Sequence, residues 1–318
     1  MQNTIAPKKT GLQARTQRYG WWFIAPATIL IVMLAFYPMI EAFIYSLQQG
    51  KGDALTFGDY SSVTELFQNS ESTGQAVNDL FYNYIRLFTK DSKFREALSN
   101  TFFYLIVQVP IMLLTALVLA SLLNNKKLTM KGIYRTAIFL PCATSLVSCA
   151  IIFKQLFSNS GFINSILLNL SLIDEPIKFL TQNSTAKFII ILTMLWRWTG
   201  YNMIFYLAGL QNIDPGIYEA AKIDGASAYQ RFTHITLPLL KPIILMTTIL
   251  STNGTLQLFD EVQNMTNGDF KTITLSKYIY QLTFEGMPRF GYASAISYVI
   301  LIMVAVLALV QLKVGESK

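Results

Sequence analysis

The sequence predicts an all-α, polytopic membrane protein with six transmembrane helices. Of the 318 residues, 53% are apolar and only 14% are charged, whereas about 25% of the residues of a soluble domain are charged. The mean hydropathy of +0.41 indicates the same class. Several apolar segments also reach the length of about 20 residues with which a helix crosses a hydrocarbon core about 30 Å thick.

Each predicted span is an apolar run bounded by polar or charged segments. We expect no cleavable signal peptide, because the first run is too long for the apolar region of a signal and no A-x-A site follows it. Within this run, Pro26 and Pro38 predict kinks or boundaries. The six spans are about Trp21–Leu47, Thr101–Leu123, Thr136–Phe157, Phe188–Leu210, Leu239–Leu258 and Tyr292–Leu312.

The distribution of charge predicts which side of the membrane each loop faces. An even number of spans places both termini on one side, which we take to be the cytoplasm. The segments on that side then carry 13 Lys and Arg residues against four acids, and all other segments carry 12 bases against 14 acids. Because this is the pattern of the positive-inside rule, the net charge of +7 reflects topology, and we expect no nucleic-acid partner.

The spans divide the chain into a basic tail, a long loop and a core. The stretch between residues 50 and 82 begins rich in Gly, Ser, Asp and Gln, which indicates a small insert. No internal repeat of 20–50 residues is visible. The predicted parts are residues 1–20 (cytoplasmic tail), 21–47 (first span), 48–99 (extracytoplasmic loop with the insert) and 100–318 (core transmembrane domain, including an inner loop at 211–238).

The inner loop, residues 211–238, is the longest polar interruption between apolar helices in the C-terminal half. Its stretch Tyr218–Ala226 alternates small, polar and apolar residues at helical spacing, and Gly225 permits a turn that a side chain would oppose. Pro238 suits the first turn of the next helix. The loop can dock with a partner protein, or it can be an interfacial helix without a partner. His234, the only histidine, is expected to be a surface residue.

Arg197 lies in the predicted fourth span, where a charge is costly unless it faces a cavity or a partner. Its candidate counter-charges are Asp260 and Glu261, at the outer end of the fifth span. The alternative is that the helix starts later and Arg197 snorkels to the interface. Apart from Arg197 we expect no acidic or basic cluster along a solute pathway, which predicts a neutral solute.

Aromatic and polar side chains on the fourth and fifth spans are candidates for a solute pathway. Aromatic faces suit the C–H side of a sugar, and hydroxyl and amide groups suit its hydroxyls. The alternatives are an aromatic belt at the membrane surface for the fourth span and helix–helix contacts for the fifth. The pathway candidates from the residues alone are Arg197, Trp198, Tyr201, Asn202, Ser251, Asn253, Gly254, Thr255 and Gln257.

The sequence carries none of the motifs of an enzyme active site that we sought. It has no G-x-x-x-x-G-K-[ST] loop for ATP phosphates, no H-E-x-x-H and no G-x-S-x-G. One histidine and two cysteines, Cys142 and Cys149, offer no metal-ligand set and little for nucleophilic chemistry. We therefore expect no catalytic residue, no metal site and no cofactor in this chain.

The segment EAAKIDGASAYQRFTHITLP resembles the cytoplasmic coupling loop of binding-protein-dependent ABC import permeases. From about Trp21 to Leu312 the chain resembles the maltose-type (MalF-like) permeases of carbohydrate ABC importers, with NTFFYLIV, YRTAIFLPCATS and GYNMIFYLAGLQNIDPGIYEAAKIDGA in the family order. The resemblance implies the type I ABC importer permease fold and a coupling helix that seats in an ATPase subunit. The coupling positions that it implies are Glu219, Ala220, Ala221, Asp224, Gly225, Ala226 and Pro238.

The resemblance also implies partners, a location and further pathway positions. Such permeases work with a second, MalG-like permease, two ATPase subunits that bind ATP and Mg, and an extracytoplasmic sugar-binding protein. The location is the bacterial cytoplasmic (inner) membrane, with both termini in the cytoplasm. Several sugar-contacting positions differ in type from the maltose-binding pattern, so the resemblance does not imply the same sugar. These positions fall near Cys142, Leu146, Gly200, Met203, Ser251, Gly254, Thr255 and Leu258.

The predicted function is import of a sugar, an oligosaccharide, driven by ATP hydrolysis in a partner subunit. One alternative is an ABC permease for another solute, such as glycerol phosphate. A second is an ion-coupled secondary carrier, for which acids within the membrane and inverted repeats are expected. Only Glu41 is an acid within a predicted span, which disfavours the carrier.

Overall fold

The computed structural model of the chain describes residues 11–51, 54–70, 72–125 and 128–316. The first half of the predicted tail lies outside the described residues. So do Lys126, Lys127 and Lys318 of the charge comparison. Within the described ranges the fold is all-α except for one short β-hairpin, as the sequence predicts.

The elements of the N-terminal part comprise the first helical stretch, the hairpin and a set of short helices. They are α1 (Gly11–Ile31), a π-helical segment (Val32–Phe36), α2 (Tyr37–Ser46), β1 (Gln49–Lys51), β2 (Ala54–Thr56), α3 (Val63–Asn69), α4 (Thr73–Leu80) and α5 (Tyr82–Thr89).

The elements of the core comprise the long helices and the segments that join them. They are α6 (Ser92–Leu123), α7 (Lys131–Ala143), α8 (Leu146–Leu156), α9 (Phe162–Asn169), α10 (Asn183–Gln211), α11 (Pro215–Ile223), α12 (Ala228–Arg231), a second π-helical segment (Phe232–Thr236), α13 (Leu237–Leu256), α14 (Asp260–Met265), α15 (Leu275–Phe284) and α16 (Phe290–Glu316).

Among the described residues, five helical stretches are long and apolar enough to cross a membrane, and a bent pair of helices makes a sixth if it counts as one span. The predicted six spans are therefore found when the bent pair is counted as one span. The five stretches are Trp22–Leu47, Ser92–Asn124, Asn183–Gln211, Ala228–Leu256 and Phe290–Gly315.

The third predicted span, Thr136–Phe157, is not one continuous helix. It is the bent pair, α7 and α8, whose axes differ by 98°. Thr144 and Ser145 between them have extended backbone conformations. Pro141 precedes this break by three residues and removes one backbone donor from the last turn of α7.

Two of the spanning helices begin earlier than their apolar runs predict, because their first turns are built from polar residues. The second span begins at Ser92 rather than Thr101, since the Asp91 carboxylate accepts a hydrogen bond from the Phe94 N–H at 2.9 Å and caps the helix. Similarly, α1 begins at Gly11, inside the predicted tail.

Pro238 lies in the first turn of α13, as predicted, but no break in the helical stretch precedes that turn. It lies inside the continuous stretch Ala228–Leu256, directly after the second π-helical segment, where the Leu237 N–H bonds to the Phe232 carbonyl. Pro38 follows the first π-helical segment in the same way. The wider π turn accommodates a proline, which lacks an N–H and clashes with the carbonyl four residues back in a regular α-helix.

The core is built around α10, which packs against α6, α7 and α13. Near the inner loop, Met203 and Tyr206 of α10 pack against Ala116 of α6 and Leu240 of α13. Farther along, Ile190 packs in a second cluster that also contains Phe153 and Val262. This arrangement places the polar faces of α6, α10 and α13 against one another.

The predicted insert is a small subdomain. The hairpin pairs Gln49 with Thr56, and α3 and α4 enclose a minor core of Phe57, Leu66 and Ala76. Asn83 at its far end donates to the carbonyls of Ser46 and Gln48 at 2.9 and 2.7 Å, which ties the insert to the end of α2.

A candidate solute cavity and the inner loop

A cavity of about 300 Å³ lies between α6, α10, α13 and α14, at the end of α13 that is opposite the inner loop. Nine of the predicted pathway residues line it, and they come from α8, α10 and α13 or the residues that follow α13. They are Leu146, Trp198, Tyr201, Asn202, Ser251, Gly254, Thr255, Gln257 and Leu258.

Five predicted pathway residues do not line this cavity. On α10 the lining positions 198, 201 and 202 share one face, and successive residues of a helix turn by about 100°. Arg197, Gly200 and Met203 therefore point to other faces. Asn253 is turned away from the lining positions on α13 in the same manner, and Cys142 lies on α7, outside the lining set.

Gly200 and Met203 serve helix packing. A Cβ atom on Gly200 would lie 2.1 Å from the carbonyl oxygen of Ile138, so only glycine permits this close crossing of α10 and α7. Met203 is fully buried in the core. Asn253 is exposed and accepts a hydrogen bond from Gln257 at 2.6 Å.

The polar wall of the cavity is a connected set of hydrogen bonds. The Thr255 hydroxyl donates to Gln108 Oε1 at 2.9 Å, and Ser251 lies 3.4 Å from Asn202 Oδ1. The amides of Gln108 and Asn202 both contact the Met112 sulfur, at 3.1 and 3.6 Å. These contacts fix the polar groups where a solute could reach them.

Polar residues of α13 thus divide between the two predicted uses. Thr252 faces away from the cavity, is buried, and accepts a hydrogen bond from Gln311 of α16 at 2.8 Å, which is a helix–helix contact. Ser251 and Thr255 line the cavity.

Trp198 and Tyr201 form the aromatic part of the wall. Their ring centroids are 5.9 Å apart and the rings are nearly perpendicular, at 86°. Both residues line the cavity. The cavity therefore combines aromatic faces with hydroxyl and amide groups, which is the pairing that a sugar requires.

Arg197 neither lines the cavity nor reaches the surface, although its charge acts on the predicted counter-charge Glu261. It is only 6% exposed, and its Nη1 donates to the carbonyl oxygens of Thr144 at 2.5 Å and Pro141 at 3.2 Å. Those carbonyls lie at the end of α7, where the Pro141 carbonyl also accepts hydrogen bonds from the Thr144 N–H at 3.3 Å and the Thr144 hydroxyl at 2.7 Å. The buried guanidinium therefore stabilises the break between α7 and α8.

Asp260 and Glu261 also line the cavity, which corrects the expectation that no charged cluster occurs there. Glu261 is 4% exposed. Burial and the Asp260 charge raise the pKa of Glu261, while the Arg197 charge and the Trp198 side chain oppose the rise.

Seven residues that line the cavity are not among the pathway candidates predicted from the sequence. The one with a readable signal was Gln108, an amide within an apolar span, where polar groups face the bundle or a water path. The apolar ones carry no such signal. The seven are Gln108, Met112, Met194, Leu250, Phe259, Asp260 and Glu261.

The inner loop forms a short helix, α11, a turn and then α12. Asp214 caps α11 by accepting a hydrogen bond from the Gly216 N–H at 2.9 Å. Gly225 has a φ of +79°, a conformation that side chains oppose. Ser227 and Gln230 then make reciprocal capping hydrogen bonds that begin α12. Each step of this loop is therefore encoded locally.

The predicted coupling positions lie on an accessible surface. Glu219, Ala220, Asp224, Gly225 and Pro238 are exposed, and Ala221 and Ala226 are half-buried. Apolar side chains beside them are also exposed, Ile223 to 87% and Tyr229 to 76%. His234 is exposed, as expected.

The loop is fastened to the base of the long stretch that contains α13. The hydroxyls of Tyr218 and Thr236 are 2.9 Å apart, and Arg231 donates to the Ala226 carbonyl. Because Thr236 and Arg231 belong to the continuous stretch Ala228–Leu256, α11 is linked directly to the helix whose other end lines the cavity.

A bundle of membrane-length helices with a polar and aromatic cavity at one end and two exposed short helices at the other is the architecture expected of a transport permease. The chain belongs to the family described as "Binding-protein-dependent transport system inner membrane component", whose model matches residues 89–313. It is thus a permease component of a binding-protein-dependent transport system of the inner membrane. This membership rules out the ion-coupled carrier considered above.

Several characterised permeases are similar over nearly their whole length. The lactose transport system permease protein LacF of Rhizobium radiobacter is 51% identical, with 92% of each chain covered. The arabinooligosaccharides permease AraP of Bacillus subtilis is 35% identical, with 93% of this chain and 88% of that protein covered. The trehalose/maltose permease MalF of Thermococcus litoralis is 30% identical, with 99% of each covered.

The fold is shared with a solved transporter. A bacterial ABC transporter that imports the acidic polysaccharide alginate superimposes with a TM-score of 0.76 over 95% of this chain and 96% of that chain, at 23% identity. The predicted carbohydrate-type permease family and the type I importer permease fold are both confirmed.

Proposed function

We propose that this chain is the membrane permease subunit of an ABC importer that moves a sugar, a disaccharide or short oligosaccharide, into the cytoplasm. The observation that carries the proposal is the cavity, in which Trp198 and Tyr201 stand beside the polar wall of Gln108, Asn202 and Thr255. Relatives that are named for lactose, arabinooligosaccharides and trehalose/maltose support the solute class.

The wall groups suit transient rather than tight binding. Gln108 and Thr255 already bond to each other, so a sugar hydroxyl must compete with an existing hydrogen bond. The net gain from each such exchange is small, on the order of 1 kcal/mol. Modest affinity is what a pathway requires, because the sugar must leave toward the cytoplasm.

ATP hydrolysis is assigned to partner subunits. The chain has no phosphate-binding loop, and the exposed surface of α11 and α12 is suited to seat in an ATPase. The assembly would comprise this chain, a second MalG-like permease, two ATPase subunits that hold ATP and Mg, and an extracytoplasmic sugar-binding protein. The fastening of α11 to the stretch Ala228–Leu256 gives the ATPase a mechanical connection to the cavity.

The orientation follows from the same assignment. If the inner loop meets an ATPase, it lies in the cytoplasm, and with six spans both termini lie there too. The excess of Lys and Arg in those segments supports this orientation.

Reconstitution in proteoliposomes tests the proposal. The chain with its second permease, ATPase and binding protein should take up labelled lactose or an arabino-oligosaccharide only when ATP is supplied to the ATPase side. The chain alone should hydrolyse no ATP. Robust hydrolysis by the chain alone, or failure of every sugar to accumulate with all partners present, would refute the assignment.

A further inference from the structure

One end of the cavity is acidic. Asp260 and Glu261 line it where α13 gives way to α14, and no Lys or Arg is among the described residues that line it. The remaining wall is neutral, with aromatic, apolar, hydroxyl and amide groups. The two carboxyl groups are therefore the ionisable acids or bases of that wall, apart from the phenol of Tyr201.

The nearby cation is Arg197, whose charge acts on Glu261. Arg197 is not part of the cavity wall, and its Nη1 is held by the Thr144 and Pro141 carbonyls. It acts on Glu261 only as a neighbouring charge.

The acidic end is fixed in place by packing. Val262 and Met265 of α14, on the same short helix, are 0% and 2% exposed and belong to the cluster of buried residues around Ile190. The carboxyl groups therefore cannot swing far from the cavity while α14 stays packed.

We propose that Asp260 and Glu261 make this cavity selective by charge, so that it admits uncharged saccharides and excludes those that carry carboxylate, sulfonate or phosphate groups. The proposal rests on the sugar-import function above and specifies its solute class. An anion that enters a confined cavity loses hydration and meets like charge at short range, where screening is weak.

The charge of the solute is therefore set by side chains rather than by the fold. The same fold serves an importer of the acidic polysaccharide alginate. For this chain the acidic end also argues against glycerol phosphate, the alternative solute considered from the sequence.

Charged thiol reagents measure the potential in the cavity without reference to any sugar. In the assembled importer, Cys142 is replaced by alanine, and Ser251→Cys places a thiol on the cavity wall; Cys149 is 1% exposed and can stay. The rates of modification by a trimethylammonium methanethiosulfonate and a sulfonate methanethiosulfonate are compared. The ratio of the cationic rate to the anionic rate should be about fivefold higher at the cavity thiol than for a free thiol in solution.

The acidic pair and a matched pair are then neutralised. Asp260→Asn with Glu261→Gln should return the ratio toward that of a free thiol, and the single changes divide the effect between the two carboxyl groups. Asp174→Asn with Glu175→Gln makes the same two carboxyl-to-amide changes in an exposed segment outside the cavity lining and should leave the ratio unchanged. Gly254→Cys repeats the measurement if Ser251→Cys fails to assemble.

The outcomes separate this proposal from the broader function. A ratio equal to that of a free thiol, or one unaffected by neutralising Asp260 and Glu261, would contradict charge selection by these two residues, even if neutral sugar is imported. A ratio that favours the cationic reagent, together with no uptake of any sugar, would support the negative potential in the cavity and contradict the proposed sugar import. Neutralisation should also narrow the difference in uptake between a neutral disaccharide and its carboxylated counterpart.

Discussion

The two ends of the helical stretch Ala228–Leu256 differ in how they are specified. At the inner loop, residues close in sequence shape the chain: Asp214 caps α11 and Gly225 makes the turn. At the cavity, the wall is assembled from distant segments, as in the bond between Thr255 and Gln108, which are 147 residues apart. Local chemistry thus builds the proposed docking surface, whereas helix packing builds the cavity.

This difference predicts how each end responds to substitution. A change in the inner loop should disturb one turn and leave the bundle intact. A change at the cavity should act through several helices at once. The substitutions below test this contrast, in order of decreasing expected effect.

Gly225→Val should abolish transport while membrane insertion stays normal. A Cβ at this position meets no atom within 4 Å, so the obstacle is the φ of +79° rather than space. Left-handed backbone costs an L-residue about 1–2 kcal/mol, and a β-branched residue more. Sugar uptake and membrane content are measured together.

Two controls isolate the backbone effect at Gly225. Gly225→Asn should retain much of the activity, because asparagine tolerates the left-handed region. Gly132→Val, at a glycine with equally open surroundings and an ordinary φ, should transport nearly normally. Normal uptake by Gly225→Val would show that the turn is not required.

Arg197→Leu should lower both the thermal stability of the purified complex and its uptake. The Thr144 carbonyl would lose its donor, at a cost of about 1–3 kcal/mol for a group left unpaired, whereas the Pro141 carbonyl would keep the Thr144 N–H and hydroxyl. Arg197→Lys should restore part of the loss, and Arg95→Leu, at an exposed position, should have little effect. An unchanged melting temperature for Arg197→Leu would mean that the break in the third span needs no cation.

Ser227→Ala should have a smaller effect, confined to the inner loop. It removes the side-chain acceptor of the Gln230 N–H, and loss of such a cap costs about 1 kcal/mol. We expect weaker ATPase association and unchanged reagent rates at a cavity thiol. A change of those rates would contradict the separation between the two ends.

Glu261→Gln should alter the pH dependence of stability slightly. The pKa of Glu261 is raised above its unfolded value, so its carboxyl destabilises the folded chain as the pH rises above that unfolded value, and acidification recovers the loss. The stability gained by the wild type on acidification should therefore exceed that of Glu261→Gln. Equal pH profiles, with exposed Glu175→Gln as a reference, would exclude this effect.

The same contrast explains what could be predicted from the sequence. Span number and the inner loop follow from apolar length, capping residues and glycine. The rotation of each span does not, because polar groups occur on more than one face: Ser251 lines the cavity and Thr252 binds Gln311. The bend of the third span is not predicted, since Arg197, which donates to the carbonyl at the break, is 53 residues away from Thr144.

The pathway candidates show the same limit: the sequence indicates which helices line the cavity but not which faces of those helices do. Nine pathway candidates line the cavity, since the correct helices could be chosen by their polar content. Gly200 and Met203 are predicted from the resemblance alone, and neither lines the cavity. Gly200 lies where α10 crosses α7, and Met203 is buried in the core. Glu261 lies beyond the apolar run of α13, where sequence periodicity no longer indicates what a side chain faces.

The solute is proposed to pass the face of α13 at Gly254 while the ATPase binds the inner loop at the opposite end of that helical stretch. Gly254 lines the cavity, and a Cβ there meets nothing within 4 Å, so Gly254→Leu fills the cavity without a clash at its first added atom. Uptake and complex assembly are measured on one Gly254→Leu preparation, with Gly132→Leu as the control. We predict that uptake is lost and assembly retained; unchanged uptake would contradict the pathway, and lost assembly would make Gly254 a packing residue.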